Sequence, residues 1–310
     1  MNILHLKYAV EVAKTGSISQ AAENLYMGQP NLSKAIRELE TNIGMQLFKR
    51  SSKGATPTPK GAEFLKYAKN ILIQINEMEA LYSPDNEDRQ RFSICVPRGS
   101  YISHAFAHFA ASLDLNKEID IGFKETNSMR AISIVNDGES NLAIIRYQLS
   151  HEPYYMNLMS EKQLDSELIW EFEYLALMSE AHPLADSPKI SRDQLFRGIE
   201  IVHGDISIPF ASPESQPRPS DKDTHRRIYV YERGSQFDLL SMVPSTYMWV
   251  SPLPLETLAR HRLVQRKCCG GLRYRDVLVY PRGYQRTPLD SAFISTLFSV
   301  RDEVAALECV

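Results

Sequence analysis

The sequence lacks the features that mark membrane, secreted and disulfide-rich proteins. No uninterrupted apolar run reaches the roughly 20 residues that a membrane-spanning helix needs. Lys7, Glu11 and Lys14 interrupt the apolar segment that a signal peptide would require, so we expect a cytoplasmic protein without a membrane partner. The 4 cysteines include no Cys-x-x-Cys pair, which leaves neither a disulfide framework nor a zinc ribbon indicated.

Catalytic signatures are missing as well. The chain contains no Gly-x-Ser-x-Gly, His-Glu-x-x-His, P-loop or Gly-x-Gly-x-x-Gly pattern, so the sequence does not predict an enzyme. His104 and His108 have a helical spacing that can bind metal, but no cysteine or carboxylate pair lies near them in sequence. Cys268 and Cys269 could sense oxidation, although a disulfide between neighbours is strained and no basic helix N-terminus adjoins them. We therefore expect no metal and no cofactor.

Charge is distributed unevenly along the 310 residues, a length that predicts at least two domains. The formal net charge is -3, yet residues 1–60 hold 8 Lys or Arg against 4 Glu, a net of +4. The remaining residues hold 27 basic against 34 acidic side chains, a net of -7. A basic head on an acidic body is typical of a DNA-binding module attached to a domain with another task.

The basic head has the pattern of a helix-turn-helix. A first helix ends at Thr15-Gly16, Ser17 can cap a second helix, and Gln29-Pro30 opens a third. The third helix is expected to turn apolar residues inward and polar residues outward, as a helix that reads the major groove requires. A basic turn with Gly54 follows and predicts a wing that contacts phosphates. The predicted DNA-binding residues are Ser17, Gln29, Pro30, Asn31, Ser33, Lys34, Arg37, Arg50 and Lys53, with Asn31 and Ser33 reading bases and the cations holding phosphates.

Many residues between Val12 and Gly61 match one pattern in a single register. They are the run from Val12 to Ala22, then Leu25, Gln29-Pro30, Leu32-Ser33, Ile36, Leu39-Glu40, Gly44, Leu47-Phe48, Arg50 and Thr58 to Gly61. This set closely resembles the N-terminal signature of prokaryotic LysR-type transcriptional regulators. The resemblance implies a winged helix-turn-helix, a long linker helix and a two-lobed effector-binding domain, in homotetramers built from dimers.

A long helix follows the head. Thr58 can cap it with Pro59 at its first position, and no later proline interrupts the chain before Tyr82. Its apolar stripe is wider than packing on one domain needs, which indicates a partner helix, although packing within the same chain remains an alternative. The resemblance favours a helix pair between subunits. The predicted dimerisation residues are Leu65, Ala68, Leu72, Ile75 and Tyr82, in a linker helix over 59–83 between a head over 1–58 and a hinge over 84–90.

Residues 91–310 are predicted to form an α/β effector-binding domain. Strands alternate with helices, which favours a largely parallel sheet. The pattern predicts lobe I over about 91–163 and 270–310 and lobe II over about 164–269. Gly138, Leu142 to Ile144 and His182 to Ala185 resemble positions in the LysR effector domain, which has the fold of periplasmic binding proteins. Pro209 to Ser220 has the appearance of an insertion, and Ser245 to Trp249 replaces a segment that is usually Gly-rich in the family.

Polar residues follow the predicted strands at their carboxyl ends, where open α/β sheets bind ligands. Each of them could also be a helix cap or a surface residue. Because cations and hydroxyls prevail, we expect a small anionic effector, with Arg146 pairing bidentately with its carboxylate or phosphate. The predicted effector-binding residues are Arg98, Gly99, Ser100, Tyr101, Thr126, Asn127, Ser128, Arg146, His203 and Gly204.

The sequence thus predicts a regulator whose binding to double-stranded operator DNA, or bending of it, is modulated by an effector in the interlobe cleft. RNA polymerase is a further expected partner. Two alternatives remain: a constitutive DNA binder with a vestigial cleft, and an α/β solute-binding or enzymatic protein that carries a helix-turn-helix. Salt-dependent DNA binding without turnover would distinguish a regulator from the second alternative.

Overall fold

The computed structural model describes residues 2–51, 54–82, 89–204 and 226–307. The chain divides into two compact units, Met1–Arg89 with Asp137–Glu139 and Gln90–Asn136 with Ser140–Val310. No helix within these described ranges is long and apolar enough to cross a membrane. The proposed hinge falls mostly on residues 83–88, and the proposed insertion over 209–220, which lie outside the described residues.

The first unit is a winged helix-turn-helix, as the sequence predicts. Gly16 ends the first helix in the left-handed region at φ 65°, and the side chain of Ser17 accepts a hydrogen bond from Gln20 N and so caps the second helix. The buried core is formed mainly by Leu6, Ile36 and Leu39. The elements are α1 (Ile3–Thr15), α2 (Ile18–Asn24), α3 (Gln29–Ile43), β1 (Phe48–Ser51), β2 (Gly54–Pro57) and α4 (Pro59–Tyr82).

The long helix α4 begins as predicted, because Thr58 Oγ1 accepts a hydrogen bond from Gly61 N at 2.9 Å. Three of its five predicted dimerisation residues are buried within the first unit. Leu65, Ala68 and Leu72 are 4%, 1% and 9% exposed and belong to the core of their own unit, so they are already covered within one chain. Ile75 is half-buried, and the side chain of Tyr82 lies outside the described part of the structure.

Lobe I of the second unit contains a five-stranded sheet with helices on both faces. Leu142 to Ile145 in its middle strand are all fully buried, as expected for a strand covered on both sides. The strand order is β4 (Glu118–Glu125), β3 (Arg89–Val96), β5 (Leu142–Gln148), β12 (Arg273–Pro281) and β6 (Leu164–Glu173). The helices are α5 (Ser100–Ala111), α6 (Ser128–Asn136), α7 (Glu152–Glu161) and α11 (Pro288–Leu307).

Lobe II contains a second five-stranded sheet. Its strand order is β11 (Leu263–Arg266), β7 (Leu175–Ser179), β10 (Thr246–Val250), β8 (Ile199–His203) and β9 (Arg227–Val230). The helices are α8 (Arg192–Leu195), α9 (Gly234–Met242) and α10 (Leu255–His261). The segment that departs from the Gly-rich family pattern forms β10, where Tyr247 and Met248 are buried in the lobe.

Two expectations about the second unit need correction. The sheets are mixed rather than largely parallel, because β12 runs antiparallel to β5 and β6, and β7 runs antiparallel to β10 and β11. Lobe II also begins about ten residues later than position 164, because β6 pairs with β12 in the first sheet along its whole length. The chain passes between lobes at Tyr174, directly after β6. Alternation of strand residues predicts a strand but not its partner, which explains both differences.

Candidate DNA-binding surface and effector cleft

Helix α3 presents a polar exposed face. Gly28 precedes it without a side-chain cap, and Pro30 lies in the first turn, where its missing N–H breaks no helical hydrogen bond. Leu32, Ile36 and Leu39 are fully buried. The opposite side, which the structure leaves exposed as predicted, carries Asn31, Lys34 and Arg37, and Gln29 is exposed at the N-terminal end of the helix.

Ser33 does not lie on that face. It is 9% exposed, and its hydroxyl accepts a hydrogen bond from Arg50 Nη1 at 3.1 Å. The Arg50 side chain thus links strand β1 to α3 by a hydrogen bond, in addition to any contact that it makes with phosphate. The expectation that Ser33 reads a base edge conflicts with this burial, because its hydroxyl points toward the wing and not outward. Ser17 likewise uses its hydroxyl as the α2 cap.

The wing is anchored on the end of α1. β1 and β2 pair antiparallel, and Ala55 N donates to Gly16 O at 2.8 Å. Gly54 has φ +122°, and a Cβ there would lie 2.3 Å from Gly16 O, so only glycine allows this approach. Lys53, a predicted phosphate contact, lies outside the described residues.

Arg233 forms the main polar contact between the lobes of the second unit. It directly precedes α9 in lobe II, and its Nη1 donates to Glu125 Oε1 in lobe I at 2.7 Å. Nη2 donates to Ser100 Oγ at 2.9 Å, and Nη1 also contacts the hydroxyl of Ser103. The Arg233 and Glu125 side chains are only 16% and 21% exposed. The N-termini of α5 and α9 therefore both lie beside the partly buried guanidinium of Arg233.

The effector-binding residues predicted from the sequence do not include this arginine. Arg233 follows strand β9 at its carboxyl end, which is the same positional signal that identified Ser100 and Ser128 after other strands. Glu125 is the last residue of β4, and the prediction includes only the hydroxyl and amide residues that follow it. Of the predicted residues, Ser100 is the one that contacts Arg233 directly.

The other predicted residues form the loops around this contact. Thr126 N donates to Val96 O at 2.9 Å, Asn127 Oδ1 accepts from Arg130 N at 2.9 Å, and Ser128 Oγ donates to the Arg146 backbone oxygen at 2.7 Å. These bonds hold the turn between β4 and α6 next to the end of β5. These residues therefore act as caps and turn residues, which was the alternative interpretation, and in this role they position the loops of the cleft.

A second contact joins the lobes at Tyr231. Arg98 Nη2 donates to Tyr231 O at 3.0 Å, and Gly204 N donates to Val230 O at 2.9 Å. A Cβ on Gly204 would lie 2.6 Å from Tyr231 Cζ, so glycine leaves room for the ring there. His203 ends β8 beside it. The structure therefore brings Arg98 of lobe I and Gly204 of lobe II to the same tyrosine.

Arg146 is not available in the way the sequence suggested. Its Nε and Nη2 donate to the two carboxylate oxygens of Asp276 at 2.7 and 2.6 Å, and the two side chains are 7% and 0% exposed. Tyr101 is also fully buried, and its hydroxyl donates to Asp276 at 2.5 Å. The carboxylate that was expected from the ligand is instead the Asp276 side chain of β12. Arg146 and Tyr101 therefore support the cleft from inside lobe I.

Burial and charge act together in this cluster. Burial, with the Asp276 charge, raises the pKa of Tyr101 well above its usual value, so the hydroxyl keeps its proton. Burial opposes the charged form of Arg146, but the adjacent Asp276 more than compensates and raises the pKa of Arg146 well above the usual value. The guanidinium also lies 4.9 Å from the centre of the Phe172 ring. The result is a buried ion pair with an aromatic wall.

The cysteines that the structure describes are free thiols. Cys95 and Cys268 are buried and Cys269 is exposed. Burial raises the pKa of the Cys268 thiol, which lowers its thiolate fraction. Cys309 lies outside the described residues.

Comparisons with known proteins match the N-terminal domain to a family and the whole chain to a fold. The family model described as "Bacterial regulatory helix-turn-helix protein, lysR family" matches residues 3–62. PtxE of Stutzerimonas stutzeri, whose name places it among HTH-type transcriptional regulators, is 27% identical over 198 residues, which cover 63% of this chain and 92% of PtxE.

Solved full-length structures share the fold. An OxyR variant from Pseudomonas aeruginosa superposes with a TM-score of 0.62 at 15% identity and covers 96% of this chain and 98% of its own. LysG from Corynebacterium glutamicum, with its effector arginine bound, gives a TM-score of 0.60 at 12% identity and covers 98% and 99%. Residues 3–62 are thus a helix-turn-helix domain of the lysR family of bacterial regulators, and the whole chain has the fold of these solved full-length regulators.

Proposed function

We propose that this regulator binds an operator with two-fold character as a dimer that associates further into a tetramer, and that a small anion between lobes I and II changes this binding. Its place is the cytoplasm, where RNA polymerase is a further partner. The observation that carries the proposal is the contact of Arg233 with Ser100, Ser103 and Glu125 across the lobes.

The Glu125 carboxylate occupies the position that an anionic effector would take. It contacts a cation that is largely withdrawn from solvent, beside the N-terminus of α5, where a carboxylate or phosphate is favoured. An effector that displaces Glu125 would exchange a contact within the protein for one with the ligand. Since the contact joins the two lobes, such a ligand binds the two lobe arrangements with different affinity, which is the requirement for a switch. The related fold of LysG holds a small effector, arginine.

Calorimetric titration with organic acids and phosphorylated metabolites tests this site. We expect one anion class to bind the wild type, and Arg233→Met to weaken its binding by about 1.5–3 kcal/mol, the range for a hydrogen bond to a charged group. Glu125→Gln should strengthen binding, because it removes the internal competitor. Arg260→Met, which removes an exposed arginine of α10, is the control and should bind like the wild type. If no anion binds the wild type, the vestigial-cleft alternative is correct.

On the DNA side, Gln29 and Asn31 are proposed to read base edges while Lys34 and Arg37 hold phosphates. All four are exposed, Asn31, Lys34 and Arg37 on one side of α3 and Gln29 at its N-terminal end, and amide side chains can pair with adenine edges in the major groove. Arg50 is proposed to position the wing through Ser33 as well as to meet the backbone.

Asn31→Ala should therefore relax sequence preference at one base position by about 1–3 kcal/mol. Lys34→Ala should weaken binding to all sequences alike and reduce the salt dependence of the affinity. Fluorescence anisotropy with a set of single-base operator variants at several salt concentrations separates the two effects. Uniform weakening by Asn31→Ala, with altered preference in Lys34→Ala, would contradict the proposed docking.

The dimer is proposed to form through a second stripe on α4. Tyr67, Ile71 and Met78 are 51%, 36% and 55% exposed, and their spacings of four and seven place them on one face of the helix. This face is turned away from the residues that pack on α1. A second copy of α4 is the partner that would cover it, as in the helix pair that the family resemblance implies.

A further inference from the structure

Two imidazoles face each other on α5, beside the contact between the lobes. His104 Nε2 and His108 Nε2 lie 3.0 Å apart, with ring centroids separated by 4.6 Å. The His104 side chain is 17% exposed. Neither residue takes part in the Arg233 contact or in the buried Arg146 pair.

A carboxylate from lobe II approaches the same point. Glu256 lies in the first turn of α10, and its Oε2 is 4.0 Å from His104 Nε2. The Glu256 side chain is 72% exposed, so it can change rotamer without breaking core packing. Sequence spacing alone left the two histidines without a carboxylate partner, because Glu256 is distant in the chain and belongs to the other lobe.

The distance between the imidazoles fits two ligands of one ion. In the tetrahedral geometry usual for zinc, two nitrogens at about 2.0–2.1 Å from the ion lie about 3.3–3.4 Å apart, so a small shift of the two rings from 3.0 Å gives the spacing of two ligands. An N–H···N hydrogen bond between neutral rings has a similar length, and it describes the metal-free pair. Both arrangements need at least one ring nitrogen without a proton.

We propose that His104 and His108 bind a divalent transition metal of the zinc class, with Glu256 of lobe II as the third ligand. Among the described residues, no three His, Cys, Asp or Glu side chains already surround one point, so Glu256, whose Oε2 is 4.0 Å from His104 Nε2, must approach the histidines when the metal binds. Water would complete the coordination of the ion.

The ion would connect lobe I to lobe II outside the anion site. His104 and His108 belong to α5, and Glu256 belongs to α10. Metal would therefore stabilise the lobe arrangement in which the two helices are close.

Titration of Zn²⁺ into the full-length, tag-free and chelator-treated protein tests the site by calorimetry. We expect one ion per chain. His104→Ala and His108→Ala should each weaken binding by about ten- to hundredfold or more, since even the partners of metal ligands contribute that much. Glu256→Gln should weaken it by about tenfold. His151→Ala, which removes a histidine of lobe I outside the pair, is the control and should leave binding unchanged.

Thermal unfolding provides a second measurement. Zn²⁺ should raise the melting temperature of the wild type and of His151→Ala, with little effect on a His104→Ala/His108→Ala double variant. Equal Zn²⁺ affinity in the wild type and the double variant would overturn the proposal, as would the absence of any site in the wild type. Unchanged affinity in Glu256→Gln would overturn the link between the lobes.

Discussion

Asp276→Asn should lower the free energy of unfolding of the effector domain by about 3–5 kcal/mol, the cost of breaking a buried ion pair by removing one partner. Asp276 is fully buried, and its two oxygens neutralise Arg146, whose side chain is 7% exposed. Asparagine would leave the Arg146 charge in a site that water does not reach. The Tyr101 hydroxyl would also lose its charged acceptor.

Urea unfolding of the full-length chain measures this loss. Both tryptophans, Trp170 and Trp249, lie in the second unit, so their fluorescence reports on that unit. An Arg146→Met/Asp276→Asn double variant is the matched control and should recover a large part of the stability, because it removes both charges. A loss below about 1 kcal/mol in Asp276→Asn would show that Arg146 is better solvated than its burial indicates.

Ile71→Asp should convert the protein into folded monomers and lower operator affinity by about a hundredfold or more, because a dimer gains from the high effective concentration of its second head. The reason is the desolvation of a carboxylate in an apolar helix pair. Leu72→Asp would not be informative, because Leu72 lies in the core of its own unit and its replacement would unfold the head.

Ala62→Asp is the matched control for this variant. Position 62 is exposed on the side of α4 opposite Ile71, so the same charge there should leave assembly intact. Light scattering gives the oligomeric state, and fluorescence anisotropy gives the operator affinity. Unchanged oligomers in a folded Ile71→Asp protein would remove the exposed stripe of α4 from the interface.

Local chemistry allowed much of the fold to be predicted from sequence. Ser17 and Thr58 cap helices because their hydroxyls reach a backbone N–H three residues later, and Gly16 ends α1 because glycine accepts positive φ. The exposed face of α3 follows from helical periodicity in the same way. These features depend only on neighbours in the chain.

Contacts between distant residues could not be predicted. Ser33 is polar and was assigned to the DNA face, but Arg50, 17 residues away, covers it. Arg146 was assigned to the ligand, but Asp276, 130 residues away, pairs with it. Arg233 and Glu125 are separated by 108 residues. In each case the sequence shows a charge or hydroxyl at the right end of an element, and only the fold shows its partner.

Helix α4 shows a related limit. Its apolar residues predict an amphipathic helix, but periodicity does not distinguish the residues that pack on α1 from those that stay exposed. Adjacent positions 71 and 72 differ in this respect, since Ile71 is 36% exposed and Leu72 is 9% exposed.

Operator affinity with and without the anion identified by calorimetry tests the central claim most directly. Binding to the lobes and binding to DNA are linked, so a saturating anion should change operator affinity by about five-fold or more in the wild type, in either direction. Arg233→Met should lose the response, and its operator affinity should move toward that of the anion-bound wild type, because it lacks the contact with Glu125 that the anion displaces. An anion that binds at Arg233 and leaves operator affinity unchanged in the wild type would contradict the account.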